Sequence, residues 1–323
     1  MPHAPSVLVT RRLPPRIESL LLEDYGAVLN TDDHPLRPDE LLAALREHDV
    51  VLCTLTDRLT RDLLCKPDTR TRLLANFGAG VNHIDLQAAR DVGITVTNTP
   101  GVLTEDTADL TMLLLLAVAR RATEGGRELH GGHWTGWRPT HLLGRRVAGA
   151  TLGVVGFGRI GQAVARRASL GFGMRILYHS RSIPGQLPAN VEAERCESLE
   201  ALLGACDAVS LHVPATPDTG HLMNRRTLRL MRPGAILVNT ARGDIVDEAA
   251  LVEVLREGHL GGAGLDVYER EPEVSPELLA LPNVFALPHL GSATVDSREA
   301  MGERARCNIA AFLAGQDPPD RVR

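Results

Sequence analysis

The sequence predicts an α/β protein built from two doubly wound parallel-sheet domains. Short runs of apolar and β-branched residues alternate with helical patterns, which is the order that buries a parallel sheet between two layers of helices. At 323 residues the chain exceeds the size at which one hydrophobic core usually stops growing, so two domains are expected. An apolar fraction of 44% agrees with compact folding.

The elements of the first half follow from the spacing of apolar residues. Strands are predicted at residues 7–10, 50–55, 72–77 and 94–97. Helices are predicted at 17–22 and 85–91. A longer helix is predicted over 105–121, with Thr104 as its N-cap and acidic residues in its first turn.

A change of composition separates the two halves. Residues 125–144 are rich in glycine, histidine and tryptophan and have weak periodicity, so an extended arm is predicted there. Beyond the arm the alternation of strands and helices resumes. Strands are predicted at 151–155, 175–178, 208–212, 235–239, 262–266 and 284–287.

A Gly-x-Gly-x-x-Gly loop follows the strand at 151–155 and opens a helical pattern. Gly156 permits the tight strand-to-helix turn, Gly158 lets the backbone approach a pyrophosphate, and Gly161 lets the helix pack closely on the strand. The phosphate charge would then sit at a helix N-terminus. The loop therefore predicts a dinucleotide phosphate site, with an ordinary strand-to-helix turn as the alternative.

Composition also excludes several classes of function. A net charge of −5 argues against a general nucleic-acid surface. The longest apolar run, 112–119, is too short to cross a bilayer, and residues 1–6 lack the pattern of a signal peptide. We therefore expect no nucleic acid and no membrane among the partners.

The residues that commonly bind metals have no metal-site spacing. Five cysteines are scattered without a Cys-x-x-Cys pair, which predicts reduced thiols in a cytoplasmic protein: Cys53, Cys65, Cys196, Cys206 and Cys307. His130, His133 and His141 are not paired on any predicted helix. No metal site is predicted.

Seven motifs in a fixed order connect the chain to a known family. They are residues 76–85, 99–109, 156–161, 211–214, 239–243, 264–272 and 288–292. Over nearly its whole length the chain resembles the D-isomer-specific 2-hydroxyacid dehydrogenases, and most closely their glyoxylate/hydroxypyruvate reductase branch. The resemblance implies hydride transfer from NAD(P)H to a small 2-oxo acid, giving glycolate or D-glycerate.

The resemblance also implies a discontinuous architecture. A flavodoxin-like substrate domain would comprise residues 1–98 and 292–323, and an inserted Rossmann domain would comprise 99–291. In the family a helix and an arm, here at about 104–145, form the interface of a homodimer. Ligands would meet at the carboxyl ends of the strands.

Three residues of the family motifs match its catalytic set. Arg242 would hold the substrate carboxylate and ketone oxygen, because a guanidinium forks onto planar carboxylate geometry and stays charged. His289 would donate the proton, since imidazole can change charge near neutral pH. Glu271 would favour the imidazolium form of that ring, as its place directly before Pro272 matches the family's acid, whereas Glu269 does not.

Further binding residues follow from the same resemblance. Ala79 and Gly80 would offer backbone N–H groups to the substrate carboxylate, although the same turn also suits glycine for backbone reasons alone. Trp137, near Trp134, would wall the partner subunit's substrate pocket or serve only interface packing. The remaining cofactor-binding residues, besides the loop glycines, Arg242 and His289, are Thr107, Phe157, Arg159, Ile160, His212, Val213, Pro214, Thr240, Ala241, Asp266 and Gly291.

The sequence after the strand at 175–178 indicates which cofactor is preferred. NAD-preferring sites place a carboxylate about 20 residues after the glycine loop to bind the adenosine ribose. No carboxylate occurs between Gly161 and Glu192, and Ser180, Arg181 and Ser182 can bind a 2′-phosphate instead. We expect NADPH to be preferred, with use of NADH as the alternative.

Two other functions fit the same motifs. One is another D-2-hydroxyacid dehydrogenase of the 2-ketogluconate reductase or D-lactate type. The other is a dinucleotide-sensing, corepressor-like binding protein, because such relatives can retain the catalytic set. Shared fold does not choose between them.

Overall fold

The computed structural model describes residues 5–183 and 185–323, so the first four residues of the N-terminal segment discussed above lie outside it. The chain divides into two compact units, Met1–Leu103 with Ser292–Arg323, and Thr104–Gly291. The first division falls after Leu103 rather than after residue 98, because Val102 and Leu103 pack against the core of the first unit.

The first unit contains a five-stranded parallel sheet in the order β2-β1-β3-β4-β5, the order of flavodoxin-like folds. Its strands are β1 Val7–Val9, β2 Val28–Leu29, β3 Val50–Cys53, β4 Leu73–Asn76 and β5 Thr95–Thr97. Its helices within the first hundred residues are α1 Pro15–Tyr25, α2 Pro38–Glu47, α3 Arg61–Leu64 and α4 Leu86–Asp91. Every residue of β3 and β4 is buried, as expected for central strands covered on both faces.

The second unit contains a seven-stranded parallel sheet in the order β12-β11-β10-β9-β6-β7-β8, which extends the Rossmann order by one strand. Its strands are β6 Thr151–Val155, β7 Arg175–His179, β8 Ala193–Arg195, β9 Ala208–Leu211, β10 Ile236–Asn239, β11 Gly262–Leu265 and β12 Val284–Ala286. Its helices are α5 Thr104–Ala119, α6 Ala122–His130, α7 Arg159–Phe172, α8 Leu199–Ala205, α9 Arg225–Leu230, α10 Glu248–Arg256 and α11 Pro276–Ala280. Val154 and Val155 belong to different core clusters, because successive strand residues point to opposite faces.

The C-terminal helix α12, Val295–Leu313, returns to the first unit. It packs closely on α1: a Cβ added to Gly302 would lie 2.5 Å from Ile17. No helix in the described part of the chain has the length and hydropathy required to cross a bilayer.

The arm differs most from the prediction. An extended arm was expected from residue 125, but residues 122–130 form helix α6. The part of this region without helix or strand is therefore 131–150. Gly125 and Gly126 lower the helix propensity of this stretch and hide the helix from sequence patterns. Arg121, with a φ of 55°, separates α6 from α5 and pairs with Glu124.

Smaller differences concern element ends and short strands. Thr104 is the first residue of α5 rather than a cap before it, and α5 ends at Ala119, two residues early. Strands β2 and β8 were not predicted, because one has two residues and the other is largely exposed.

Candidate active site and dinucleotide site

The register of the second sheet sets several strand ends in one row. Val155 pairs with Leu211, Leu211 with Asn239, and Asn239 with Leu265. The next residues along each strand therefore leave the sheet at the same carboxyl edge, where open α/β sheets bind ligands. They are Gly156, His212, Thr240 and Asp266.

The three glycines of the loop have different surroundings. Gly156 has a φ of 88°, and an added Cβ would lie 2.5 Å from the His212 carbonyl oxygen. An added Cβ at Gly161 would lie 2.2 Å from the Gly156 carbonyl oxygen, so this glycine permits close helix packing. At Gly158, which precedes α7, an added Cβ meets nothing within 4 Å. The open space there, next to a helix N-terminus, suits a phosphate.

The neighbours of these glycines hold the loop in place. Phe157 is buried and stacks on Tyr178 with ring centroids 4.1 Å apart. Arg159 and Ile160 begin α7, Arg159 being exposed and Ile160 partly so.

The loop after β9 lies against Gly156. The His212 N–H donates to the Val155 carbonyl at 2.7 Å, and the ring Nε2 lies 2.7 Å from Ser210 Oγ. Burial lowers the pKa of His212 to about 3, so its ring is neutral near pH 7. Val213 and Pro214 continue this loop, and the Pro214 carbonyl accepts a hydrogen bond from Thr219.

His289 and Glu271 are hydrogen-bonded to each other in the second unit. His289 Nδ1 lies 2.8 Å from Glu271 Oε2, and each side chain is about one quarter exposed. Burial raises the pKa of Glu271, but hydrogen bonds from His289 and from the Tyr268 N–H, together with the charges of His289 and Arg242, outweigh it and lower the pKa overall. Glu269 pairs instead with His221, at 3.0 Å.

Arg242 follows β10 and is held by the Asn239 side chain. The Asn239 amide donates to the Arg242 carbonyl at 2.8 Å, and its oxygen accepts from the Ala241 N–H at 3.0 Å. Burial lowers the pKa of Arg242 from its usual value, while Glu271 and Asp244 oppose the shift. The guanidinium is therefore a cation in a desolvated place, where it attracts anions more strongly than in water.

Gly243 and Tyr268 join the loops that carry these groups. A Cβ on Gly243 would lie 1.8 Å from the Tyr268 carbonyl carbon, so the two backbones touch. The Tyr268 hydroxyl donates to the Leu287 carbonyl at 2.7 Å, and its N–H donates to Glu271 at 3.0 Å. Asn239, Gly243 and Tyr268 lie within the motifs 239–243 and 264–272, but the sequence pattern alone does not indicate their roles.

Asp266 organises the backbone beside His289. This buried carboxylate accepts from the N–H groups of Leu290 at 2.6 Å and Gly291 at 2.8 Å. The backbone carbonyl of Asp266 accepts a hydrogen bond from the His289 N–H at 2.9 Å. Burial raises the pKa of the Asp266 carboxyl group. Thr107 donates to the Gly291 carbonyl at 2.9 Å.

Thr240 completes this group through α5. Its hydroxyl lies 2.9 Å from that of Thr111, which donates to the Thr107 carbonyl at 2.8 Å. Thr107, Thr240 and Asp266 are all buried. These residues are thus brought together at one edge of the sheet.

The segment after β7 is exposed. Arg181 and Ser182 face solvent, and Ser180 is partly exposed, its carbonyl accepting from Arg195 at 3.2 Å. Within the described residues Arg181 has no ion-pair partner. Its charge is free to bind an anion.

The other predicted substrate groups lie elsewhere. Ala79 and Gly80 belong to the first unit, in the partly exposed turn after β4. Trp137 lies in the second unit and is 81% exposed in the single chain, and Trp134 is 53% exposed. Across the described ranges, no three His, Cys, Asp or Glu residues are grouped as a metal site would require.

Comparison with known proteins adds an independent observation. Residues 112–291 match the family model for the D-isomer specific 2-hydroxyacid dehydrogenase NAD binding domain. The chain is 44% identical over 322 residues to the glyoxylate reductase of Thermococcus litoralis, a match that covers 98% of this chain and 96% of that protein.

Solved structures of two reductases are also similar to this chain over nearly its whole length. The glyoxylate reductase of Paecilomyes thermophila superposes with a TM-score of 0.86 at 30% identity, covering 100% of this chain and 99% of the other. The NADPH-dependent glyoxylate/hydroxypyruvate reductase of Sinorhizobium meliloti, in complex with NADP and malonate, has a TM-score of 0.86 at 34% identity, with 99% and 97% covered.

Proposed function

This chain belongs to the glyoxylate reductase branch of the D-isomer-specific 2-hydroxyacid dehydrogenases, and from that membership we propose that it reduces glyoxylate and hydroxypyruvate with NADPH as the preferred hydride donor. It is an NAD(P)-dependent dehydrogenase acting on CH–OH groups. The observation that carries the proposal is the pairing of His289 with Glu271 in the same unit as the glycine loop and Arg242.

The chemistry of the three side chains suits ketone reduction. A bound nicotinamide cofactor would supply the hydride. Arg242 then holds the substrate carboxylate and the ketone oxygen with a forked, permanently charged group. His289 gives its proton to the oxygen as negative charge develops there, and Glu271 holds the ring in place through Nδ1.

A separate part of the proposal concerns the first unit, where the backbone N–H groups of Ala79 and Gly80 bind a carboxylate oxygen of the substrate. Neither backbone N–H donates to another group in the described part of the chain. Two adjacent free N–H groups form a binding site for one carboxylate oxygen. A turn of such small residues admits a short 2-oxo acid without obstruction.

The preference for NADPH rests on the segment after β7. A carboxylate, which would repel a 2′-phosphate, is missing from the sequence between Gly161 and Glu192. The exposed Arg181, with the Ser180 and Ser182 hydroxyls, supplies charge-assisted hydrogen bonds to that phosphate.

A homodimer is part of the proposal. Large apolar side chains are exposed on α5, α6 and the arm: Leu113, Leu129, Trp134, Trp137 and Leu143. A concentration of exposed apolar groups marks an interaction surface. Trp137 would reach the partner's substrate pocket.

A cytoplasmic location is also part of the proposal. All five cysteines are unpaired, which supports a reducing compartment.

A steady-state panel tests the proposal. Glyoxylate, hydroxypyruvate, pyruvate and 2-ketogluconate are each assayed with NADPH and with NADH. The highest kcat/KM is expected for glyoxylate or hydroxypyruvate with NADPH. Preference for pyruvate or 2-ketogluconate would move the enzyme to another branch of its family, and tight NADPH binding without turnover would indicate a binding protein.

A further inference from the structure

The turn after β4 has all three of its carbonyl oxygens bound from within the first unit. The Asn76 amide donates to the Gly78 carbonyl at 3.0 Å and to the Gly80 carbonyl at 2.9 Å. The Asn98 amide donates to the Ala79 carbonyl at 2.7 Å, and the Thr99 N–H donates to the Gly78 carbonyl at 2.9 Å.

These bonds orient the opposite side of each peptide group. A trans peptide is planar, so its C=O and the N–H of the following residue point in opposite directions. Fixing the Gly78 carbonyl therefore fixes the Ala79 N–H, and fixing the Ala79 carbonyl fixes the Gly80 N–H. Both N–H groups are turned away from the asparagines.

Asn76 is held in a way that stability alone does not favour. It is only 1% exposed, and its Oδ1 has no hydrogen-bond partner in the described part of the chain. A buried acceptor without a partner costs stability. The Asn76 amide thus donates two hydrogen bonds to the turn, while its own side-chain oxygen stays without a partner in the described part of the chain.

Asn98 is itself anchored by the C-terminal part of the unit. Its N–H donates to the Asp320 carbonyl at 3.2 Å, and its carbonyl accepts from the Asn308 amide at 3.3 Å. Asp320 is paired with Arg304 at 2.7 Å. Asn98, which binds the Ala79 carbonyl, is therefore held through both its backbone N–H and its backbone carbonyl.

We propose that Asn76 and Asn98 are positioning residues that aim the Ala79 and Gly80 N–H groups at the substrate carboxylate. The inference rests on the proposed function, in which those N–H groups bind the carboxylate. It makes two asparagine side chains determinants of substrate affinity through their hydrogen bonds to the turn.

Isosteric substitution tests the inference. Asn76→Asp and Asn98→Asp each replace a donor by an acceptor that faces carbonyl oxygens. The carboxylate is bound in the ground state and in the transition state alike, so KM for glyoxylate should rise about tenfold or more while kcat changes by less than about threefold. The dissociation constant for NADPH should stay the same.

Asn30→Asp is the matched control. Asn30 lies in the same unit, is 9% exposed, and donates to the carbonyls of Thr10 at 2.8 Å and His34 at 2.7 Å. Its side-chain amide makes the same kind of paired hydrogen bonds to two carbonyls, but not to the turn after β4. Its substitution should leave KM for glyoxylate within about twofold of the wild type, whatever it does to the melting temperature.

The outcomes separate the inference from the function. If the wild type does not turn over glyoxylate, the proposed function fails and the inference with it. If the wild type is active but KM is unchanged in Asn98→Asp and Asn98→Ala, the inference alone is overturned. A rise in KM of equal size in Asn30→Asp would also overturn it, and if Asn76→Asp does not fold, the two Asn98 variants decide.

Discussion

His289 Nδ1 lies 2.8 Å from Glu271 Oε2, while the backbone N–H of His289 donates to the Asp266 carbonyl at 2.9 Å. One ring nitrogen is thereby occupied by a carboxylate, and the base of the side chain is fixed by a second acidic residue. No partner for Nε2 is found among the described residues, and the proposed mechanism assigns the proton transfer to this nitrogen. This arrangement makes His289 a group that can give up a proton without losing its orientation.

Replacing His289 by glutamine should slow the reaction severely. Glutamine keeps a polar side chain but cannot donate an acidic proton, so kcat for glyoxylate reduction should fall by about two to four orders of magnitude. His221→Gln is the control, because His221 also pairs with a glutamate, at 3.0 Å. Similar losses in both variants would remove His289 from its role.

Replacing Glu271 by glutamine should change the pH dependence. The pKa of Glu271 is lowered in the fold, so it is ionised throughout the range in which a histidine titrates. Loss of that negative charge disfavours the imidazolium form, and the alkaline limb of kcat/KM for reduction should move to lower pH. Glu269→Gln should leave the limb in place, and an unshifted limb in Glu271→Gln would contradict the assignment.

Replacing Arg242 by lysine should be costly although the charge is kept. An ammonium cannot form the two parallel hydrogen bonds of a guanidinium, and burial would favour its neutral form. We expect kcat/KM for glyoxylate to fall by about two orders of magnitude. Arg270→Lys, an exposed change in a neighbouring loop, should have little effect. Equal activity of the two variants would place the carboxylate elsewhere.

Replacing Arg181 by alanine should affect one cofactor. Loss of a charge-assisted bond to the 2′-phosphate should raise KM for NADPH about tenfold and leave KM for NADH nearly unchanged. Arg175→Ala removes an exposed arginine of β7 that pairs with Glu194 and provides the comparison. The same loss for both cofactors would refute the selective role.

Replacing Gly243 by alanine should disturb the site through the backbone. The new Cβ would lie 1.8 Å from the Tyr268 carbonyl carbon, so the loop bearing Glu271 must shift. Both the melting temperature and kcat/KM should fall. Gly171→Ala is the matched control, because an added Cβ there meets nothing within 4 Å and alanine favours the helix. An active, stable Gly243→Ala enzyme would show that this contact is dispensable.

The sequence predicted what depends on local pattern. Gly156 and Gly161 could be assigned from spacing, because a tight strand-to-helix turn and a close helix contact need glycine at these two places in the motif. The fold class is confirmed by both sheets and by the structural relatives. The helix at 122–130 was missed because Gly125 and Gly126 weaken its pattern.

What the sequence could not supply are contacts between distant segments. The Tyr268 hydroxyl donates a hydrogen bond to the Leu287 carbonyl, and the Asn98 amide donates one to the Ala79 carbonyl. Such bonds to backbone atoms leave no spacing rule in the chain. They become visible only when the loops are placed in space.

The most direct test of the account is kcat for NADPH oxidation in the presence of saturating glyoxylate, measured for the wild type and for His289→Gln under the same conditions. We predict efficient turnover by the wild type and a loss of about two to four orders of magnitude in kcat for the variant. Tight binding of NADPH by the wild type with no oxidation in the presence of glyoxylate or hydroxypyruvate would contradict the proposed reductase function.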